Sequence, residues 1–235
     1  MSNKKKLVIL TGAGISAESG VRTFRDMNGL WEDHDIMEVA SYQGWLKNKN
    51  LVLDFYNKRR NQLATVKPNY GHIGLVELEE FFDVTIITQN VDDLHERAGS
   101  KSIVHLHGEL IKARSTQDES LIYEIGYTGI KNGDLCELGS QLRPHIVWFG
   151  EMVPEIEHAA DLVQQADIFV IIGTSMQVYP AAGLISDARK DIPIYVIDPN
   201  ANEMYQRSNV TLIAENASIG VKKLKELLIS LKTIS

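Results

Sequence analysis

Short runs rich in valine and isoleucine recur along this chain, and segments with helical spacing separate them. Continuous apolar runs of four to seven residues are typical of parallel strands that are buried on both faces. Their alternation with helices predicts an α/β fold with a doubly wound parallel sheet, Rossmann-like in layout. The predicted strands are 7–10, 84–88, 103–106, 168–173, 192–198 and 210–214, and the predicted helices are 70–82, 92–98, 155–165, 180–189 and 219–231.

Two stretches interrupt this alternation. Residues 26–67 indicate helices joined by a loop, and residues 109–143 mix short apolar runs with scattered glycines. We interpret both as insertions that form a smaller lobe. The chain 1–235 is then a single domain, with a Rossmann-like lobe at about 1–25, 68–108 and 144–235 and a small lobe at about 26–67 and 109–143.

Composition excludes several classes of protein. A net charge of -7 argues against a protein that works by gripping nucleic-acid phosphates. The single cysteine, Cys136, excludes an internal disulfide and a four-thiolate metal site, which favours the reducing cytoplasm. The apolar run 7–10 is too short for a signal-peptide core or a membrane span, so we expect no membrane association.

A glycine-rich turn, residues 11–16, follows the first predicted strand. Small residues there let backbone N–H groups approach a phosphate at a helix start, although an ordinary tight connection has the same pattern. The usual third glycine of a dehydrogenase turn is missing, which disfavours that class of enzyme.

The continuation to residue 26 resembles the opening motif of sirtuins, GAGxSxxSGxxxFR followed by an acid. Four further blocks follow in the order of that family: TQNVD with LH at 88–95, HLHG at 105–108, RPHIVWFGE at 143–151, and GTS with a valine at 173–178. The resemblance therefore covers most of the chain. It implies an NAD-dependent enzyme that removes acyl groups from lysine in peptides and proteins, and it leaves the oligomeric state open.

The resemblance also implies site residues. His107 would be the catalytic base that deprotonates a ribose hydroxyl after nicotinamide has left, with Asn90 and Asp92 as further catalytic residues and acyl-ADP-ribose as product. Gln89 and Asn90 would order the ribose and a water, Asp92 and Ile15 would hold the nicotinamide amide, and Arg25 would contact the diphosphate. The full cofactor set is Gly12, Ala13, Gly14, Ile15, Thr23, Phe24, Arg25, Gln89, Asn90, Asp92, Gly173, Thr174, Ser175, Asp198, Asn200 and Ala217.

The residues themselves are compatible with these roles. Gln89, Asn90, Asp92 and His107 follow predicted strand ends, where polar side chains of a parallel sheet face a ligand. An imidazole with a pKa of about 6.5 suits proton abstraction at neutral pH. A turn or helix cap would also explain Asn90 and Asp92, and a half-buried structural histidine would explain His107. At 197–200 the chain departs from the Ile-Asn of the family, so Asp198, Asn200 or a plain surface turn remain open.

A tyrosine and an arginine in the first insertion indicate which acyl group would be removed. Tyr56 and Arg59 are three residues apart on a predicted helix, as in sirtuins that remove succinyl and malonyl groups. A guanidinium and a phenol suit a carboxylate tail, and Ala17 would leave room for it. A solvated basic helix face would also explain this pair. The resemblance assigns Val147, Phe149 and Gly150 to the substrate as well.

Sirtuins usually carry two Cys-x-x-Cys pairs after the His-Gly block, and only Cys136 remains here. We therefore predict no structural zinc there, and the sequence assigns no residue of the chain to a metal. We expect a small hydrophobic cluster in its place, formed by Leu121, Ile122, Tyr123, Ile125, Tyr127, Ile130, Leu135, Leu138 and Leu142.

Two other functions use the same fold. A protein ADP-ribosyltransferase would share the cleavage of nicotinamide, and a sensor would bind NAD or ADP-ribose without catalysis. The presence of the QNVD block and of His107 together favours complete deacylation over both.

Overall fold

A computed structural model describes residues 4–21, 30–31, 34–201 and 208–234 of the chain. Its main feature is a six-stranded parallel sheet in the order β11-β10-β9-β1-β4-β5. All six strands were predicted from the apolar runs. Their bounds are β1 Lys6–Thr11, β4 Asp83–Thr88, β5 Ile103–His105, β9 Ile168–Ile172, β10 Ile194–Ile197 and β11 Val210–Ile213.

Each central strand is buried on both faces, because successive side chains enter two separate cores. In β1, Leu7 and Ile9 pack into one hydrophobic core, whereas Val8 and Leu10 pack into the other. Helices α5 (Tyr70–Leu78) and α9 (Ala217–Ile234) cover the first face, and α7 (Ile156–Gln164) and α8 (Leu184–Asp187) cover the second. This arrangement confirms the doubly wound α/β fold.

The predicted helices are present with shifted ends. The helix expected at 70–82 ends at Leu78, and the segment 180–189 is a 3-10 turn at Ala181–Gly183 followed by α8. Two short helices lie beside the sheet, α1 (Gly14–Ala17) after β1 and α6 (Leu94–Ala98) after β4.

The two insertions form separate modules. The first contains the hairpin β2 (Leu30–Trp31) and β3 (His34–Asp35), then helices α2 (Ile36–Val39), α3 (Tyr42–Lys47) and α4 (Lys49–Leu63). The second is an antiparallel ribbon of β6 (Gly108–Ser115), β7 (Ile122–Glu124) and β8 (Leu142–Ile146). A third hydrophobic core joins them, with Tyr56 of α4 beside Leu110, Ile146 and Trp148. The predicted lobe boundary after residue 143 falls inside β8.

The hydrophobic cluster predicted for the ribbon is wrong. Of its nine residues only Ile130 is buried, at 2% exposure, while Ile122, Tyr127, Leu135 and Leu138 are exposed. A ribbon of three short strands has too little depth to enclose that many side chains.

Polar bonds close the loops of the ribbon instead. The Ser115 and Ser140 hydroxyls are 2.8 Å apart, and the Cys136 thiol lies 3.1 Å from Ser140 Oγ and 3.5 Å from Ser115 Oγ. Ser115 Oγ also accepts from the N–H groups of Gln117 and Asp118, both at 3.1 Å.

In the parts of the chain that the structure describes, no helix combines the length and the hydrophobicity that crossing a bilayer requires.

Candidate active site

The direction of chain progression in the sheet reverses between β1 and β9. Strands β4 and β5 extend the sheet on one side of β1, and β9, β10 and β11 extend it on the other. A doubly wound sheet leaves a crevice at the carboxyl ends of its strands at this point. The turns after β1 and β9 therefore form the floor of the candidate site.

Glycines let these two turns pack directly against each other. The Gly14 N–H donates to the Gly173 carbonyl at 2.8 Å. A Cβ on Gly14 would lie 2.6 Å from Gly173 Cα, and a Cβ on Gly173, which has φ +62°, would lie 2.4 Å from Ile15 N. Any side chain at these positions would force the turns apart.

A cavity of about 650 Å³ opens above this floor and runs along the carboxyl edge of the sheet into the small lobe. It brings together residues from both lobes that the sequence assigned to cofactor and substrate. The predicted residues that line it are Gly12, Ala13, Gly14, Ala17, Tyr56, Arg59, Gln89, Asn90, Asp92, His107, Val147, Phe149, Gly150, Gly173, Thr174, Ser175, Asp198, Asn200 and Ala217.

The turn after β4 holds its polar side chains by bonds to both neighbouring turns. Gln89 Nε2 donates to Thr174 Oγ1 at 3.1 Å, and Asn90 Nδ2 donates to the Gly12 carbonyl at 3.2 Å. Ser16 Oγ donates to Asp92 Oδ2 at 2.9 Å and accepts from Asn90 Nδ2 at 3.2 Å. Burial raises the pKa of Asp92, partly offset by these bonds. The turn is thus preorganised rather than solvated.

Two buried histidines contact the end of β1 and the helix that follows it, beside this turn. Their rings, of His72 and His95, meet edge to face at 4.9 Å between centroids. His95 Nε2 lies 3.0 Å from Thr11 Oγ1, and His72 Nε2 lies 3.4 Å from Ser16 Oγ. Burial lowers the pKa of His72 to about 4 and that of His95 well below its usual range, so both are neutral at pH 7.

His107 reaches the cavity from the turn after β5. Its Nδ1 lies 2.9 Å from the Gln89 carbonyl oxygen, which can only accept, so Nδ1 carries the proton and Nε2 is the basic nitrogen. Burial lowers the pKa of His107, and the bond to Gln89 offsets part of that shift. A neutral imidazole with a fixed ring can act as a general base here.

The small lobe closes the far end of the cavity with an aromatic wall. Tyr56 and Trp148 are both buried, and Trp148 Nε1 donates to Tyr56 Oη at 2.9 Å. Because an indole N–H can only donate, the Tyr56 oxygen accepts and the phenol keeps its own proton. Arg59, one helical turn along α4, is 8% exposed and lines the same end.

A buried ion cluster holds the segment after β8, which carries Trp148. Arg143 contacts Glu151 at 2.6 Å and 3.0 Å, and its guanidinium carbon lies 3.4 Å from the centre of the Trp148 ring. Glu151 Oε2 also accepts from the Trp148 N–H at 2.8 Å and contacts Arg114 at 3.3 Å. Burial would raise the pKa of Glu151, but these bonds and charges hold it below its usual value.

One predicted cofactor residue that the structure describes does not line the cavity. Ile15 has no exposed surface and packs into the core beneath the sheet, where a branched apolar side chain is stable. Thr23, Phe24 and Arg25 lie outside the described residues.

Sequence reasoning also missed residues of the site. Ser16, Trp148 and Glu151 lie within the recognised motifs. The sequence did not indicate the hydrogen bonds that these residues make in the site. Asn216, exposed just before α9, lines the cavity without any sequence signal.

Comparison with known proteins agrees with this geometry. The sequence profile of the Sir2 family matches residues 12–180. The chain is 57% identical over 227 residues to a protein of Helicobacter pylori named NAD-dependent protein deacylase, covering 97% of this chain and 99% of that one. A protein of Bacteroides thetaiotaomicron with the same name is 53% identical over 230 residues, covering 96% and 98%.

Solved structures of Sir2 proteins also resemble this fold. A complex of a Sir2 homologue with NAD has a TM-score of 0.86 at 36% identity, covering 97% of this chain and 91% of that one. A Sir2 protein bound to an acetylated peptide has a TM-score of 0.77 at 27% identity, covering 95% and 93%. With motifs, fold and relatives in agreement over nearly its whole length, this chain belongs to the Sir2 family.

Proposed function

We propose that this protein is an NAD-dependent deacylase of lysine side chains in proteins and peptides. The observation that carries the proposal is the position of His107 in the cavity, with its basic Nε2 set by the bond from Nδ1 to Gln89. The names of the relatives from Helicobacter pylori and Bacteroides thetaiotaomicron support the same activity.

The residues present fit NAD. The turns of Gly12–Gly14 and Gly173–Ser175 lie at the reversal of the sheet, where dinucleotides bind in doubly wound folds. Asp198 and Asn200, at the end of β10, line the cavity beyond them and suit ribose hydroxyls. When bound, NAD supplies the nicotinamide–ribose bond that breaks and the ribose hydroxyl that accepts the acyl group.

Each residue of the site then has a definite task. The hydrogen bond from Ser16 fixes the carboxyl group of Asp92 at the cavity, where it can bind the amide of nicotinamide. Gln89 and Asn90 are tied to Thr174 and Gly12 and present their remaining polar atoms to a sugar. His107 Nε2 would take the proton from a ribose hydroxyl, and with one water consumed to release the lysine the products would be nicotinamide, deacylated lysine and acyl-ADP-ribose.

A nicotinamide-release assay tests the enzymatic function against a purely binding role. We expect release from NAD with an acetylated or succinylated lysine peptide and none with the same peptide bearing free lysine, since the acyl oxygen is the nucleophile. Tight NAD binding without release for any acyl group would show a sensor instead.

We further propose that the substrates include succinyl- and malonyl-lysine. Such an acyl tail ends in a carboxylate, which must be paired and hydrogen-bonded when it is taken from water. Arg59 and Tyr56 lie at the small-lobe end of the cavity, and Ala17 lines it without bulk. An acetyl group needs neither the arginine nor the phenol.

Arg59→Met should lower kcat/KM for a succinylated peptide by about 10- to 100-fold, the value of one charge-assisted hydrogen bond. Activity on the acetylated peptide should change by less than about threefold by the same reasoning. Tyr56→Phe should act in the same direction. Lys58→Met, an exposed cation on the same helix, is the matched control. Equal losses on both peptides for Arg59→Met would exclude the role in selectivity.

A further inference from the structure

A histidine and two glutamates converge at the outer edge of the sheet, away from the cavity. Glu96 of α6, His105 of β5 and Glu109 of β6 each offer one ligand atom, and these atoms lie within 4.8 Å of one another. Within the described ranges this is the one group of three or more His, Cys, Asp or Glu side chains so arranged. We propose that these three residues form a binding site for a divalent transition-metal ion such as zinc.

The distances suit such an ion. His105 Nε2 lies 2.7 Å from Glu96 Oε1 and 4.0 Å from Glu109 Oε1. Zinc bound at about 2.0–2.1 Å separates tetrahedral ligands by about 3.3 Å, so the two distances lie on either side of that value. Small side-chain rotations would equalise them, and water would complete the coordination.

The ring of His105 is oriented as a metal ligand requires. Its Nδ1 faces the backbone carbonyl of Asn90 at 3.4 Å, and Nε2 points to the two carboxylates. Metal-bound histidines generally donate their other N–H to a carbonyl or carboxylate, which fixes the tautomer. His105 is also shielded, since 11% of its side chain is exposed.

The carboxylate of Glu109 is oriented by a second contact. Lys112 Nζ lies 2.7 Å from Glu109 Oε2 and 3.2 Å from Glu124 Oε1. This pairing occupies the outer oxygen of Glu109 and leaves Oε1 toward His105. Hydrogen-bonded ligating carboxylates of this kind are usual around protein metal ions.

The charges at the site favour a dication. Two carboxylates flank one imidazole at this point, and the three ligand atoms lie within 4.8 Å of one another. Because Glu109 shares Lys112 with Glu124, the two ligating carboxylates keep a net negative charge that a dication would neutralise. One imidazole among oxygens favours zinc, cobalt or a similar ion over magnesium. Binding would clamp α6 to the β5–β6 connection, directly behind the Asn90 turn.

Calorimetric titration of the full-length, chelator-treated protein with ZnCl₂ tests the site. We expect one saturable equivalent of zinc, a visible d–d spectrum with cobalt in the same site, and no competition by magnesium. Glu96→Gln and Glu109→Gln should each weaken zinc binding at least about tenfold, because each removes a ligand. Zinc should raise the Tm of the unmodified protein but not of Glu109→Gln.

Two matched variants separate this site from other zinc ligands. Glu124→Gln changes a carboxylate that contacts Lys112 but not His105, and Cys136→Ser removes the single thiol. Both should bind zinc with unchanged affinity. Absence of saturable binding in the unmodified protein, or binding that Glu96→Gln and Glu109→Gln leave intact, would overturn the proposal.

Discussion

Replacing His107 by asparagine lowers kcat/KM for deacylation by about 10²- to 10⁴-fold, the usual contribution of a positioned general base. The imidazole lines the cavity, and its Nδ1 bond to the Gln89 carbonyl directs the basic nitrogen away from the backbone. Asparagine keeps polarity and approximate size at this position but cannot accept a proton. The measurement is steady-state deacylation of an acyl-lysine peptide at saturating NAD.

The pH profile distinguishes a base from a structural histidine. Burial lowers the pKa of His107, so the ring is neutral and active at pH 7. In the unmodified protein kcat/KM should fall as pH drops through that pKa, below the ordinary value of 6.5, and the variant should lack this step. His158→Asn, on the exposed side of α7, is the control that should keep full activity. Unchanged turnover by His107→Asn would refute the role.

Replacing Glu151 by alanine lowers the free energy of unfolding by about 3 kcal/mol, because two buried guanidinium groups lose their carboxylate. For a chain of this size that corresponds to a decrease in Tm of roughly 6–12 °C. Arg143 and Arg114 are almost fully buried, and the Trp148 N–H also loses its acceptor. Because Arg143 stacks on Trp148, the wall around Tyr56 should loosen as well.

Thermal and urea unfolding measure this effect at pH 7. Glu119→Gln is the matched control, since Glu119 contacts the same Arg114 at 3.6 Å but is exposed, and it should cost less than about 0.5 kcal/mol. The pKa of Glu151 is lowered in the folded state, so its stabilisation is present above the unfolded value of 4.5 and is lost as pH falls through the folded value. The free energies of unfolding of Glu151→Ala and Glu119→Gln should therefore become similar at acidic pH. If Glu151→Ala lost no more stability than Glu119→Gln at pH 7, the stabilising role of the buried ion cluster would be contradicted.

The sheet could be predicted because its strands are buried on both faces. Continuous apolar runs such as 168–172 are typical of strands buried on both faces, and their alternation with helices predicts parallel pairing. The ends of the helices were predicted less accurately. Helix α5 ends at Leu78, and neither glycine nor proline follows directly to mark that end in the sequence. Tertiary contacts decide such ends.

Several residues that line the sheet end of the cavity could also be predicted from the sequence. Gly14 and Gly173 are required by close contact between two turns, and Gln89, Asn90 and His107 come at strand ends that meet at one edge. The position of each of these residues relative to the end of a strand is therefore enough to predict that it lies at this edge of the sheet. Ile15 lies beside these residues in sequence, yet its side chain turns into the core.

The ribbon and the aromatic wall could not be predicted. Apolar residues such as Leu135 and Leu138 suggested a core, but a narrow ribbon leaves them exposed and is closed by Ser115, Cys136 and Ser140 instead. The bond from Trp148 to Tyr56 joins residues 92 positions apart. Contacts of this kind depend on how the two insertions pack together, which no local pattern records.

The most direct test of the central claim is a mass balance of one reaction of the unmodified protein with NAD and an acyl-lysine peptide. If His107 directs acyl transfer to the ribose, nicotinamide, acyl-ADP-ribose and deacylated peptide appear in equal amounts, and the peptide loses the mass of its acyl group. A peptide that instead gains the mass of ADP-ribose, or nicotinamide release without acyl-ADP-ribose, would contradict the account.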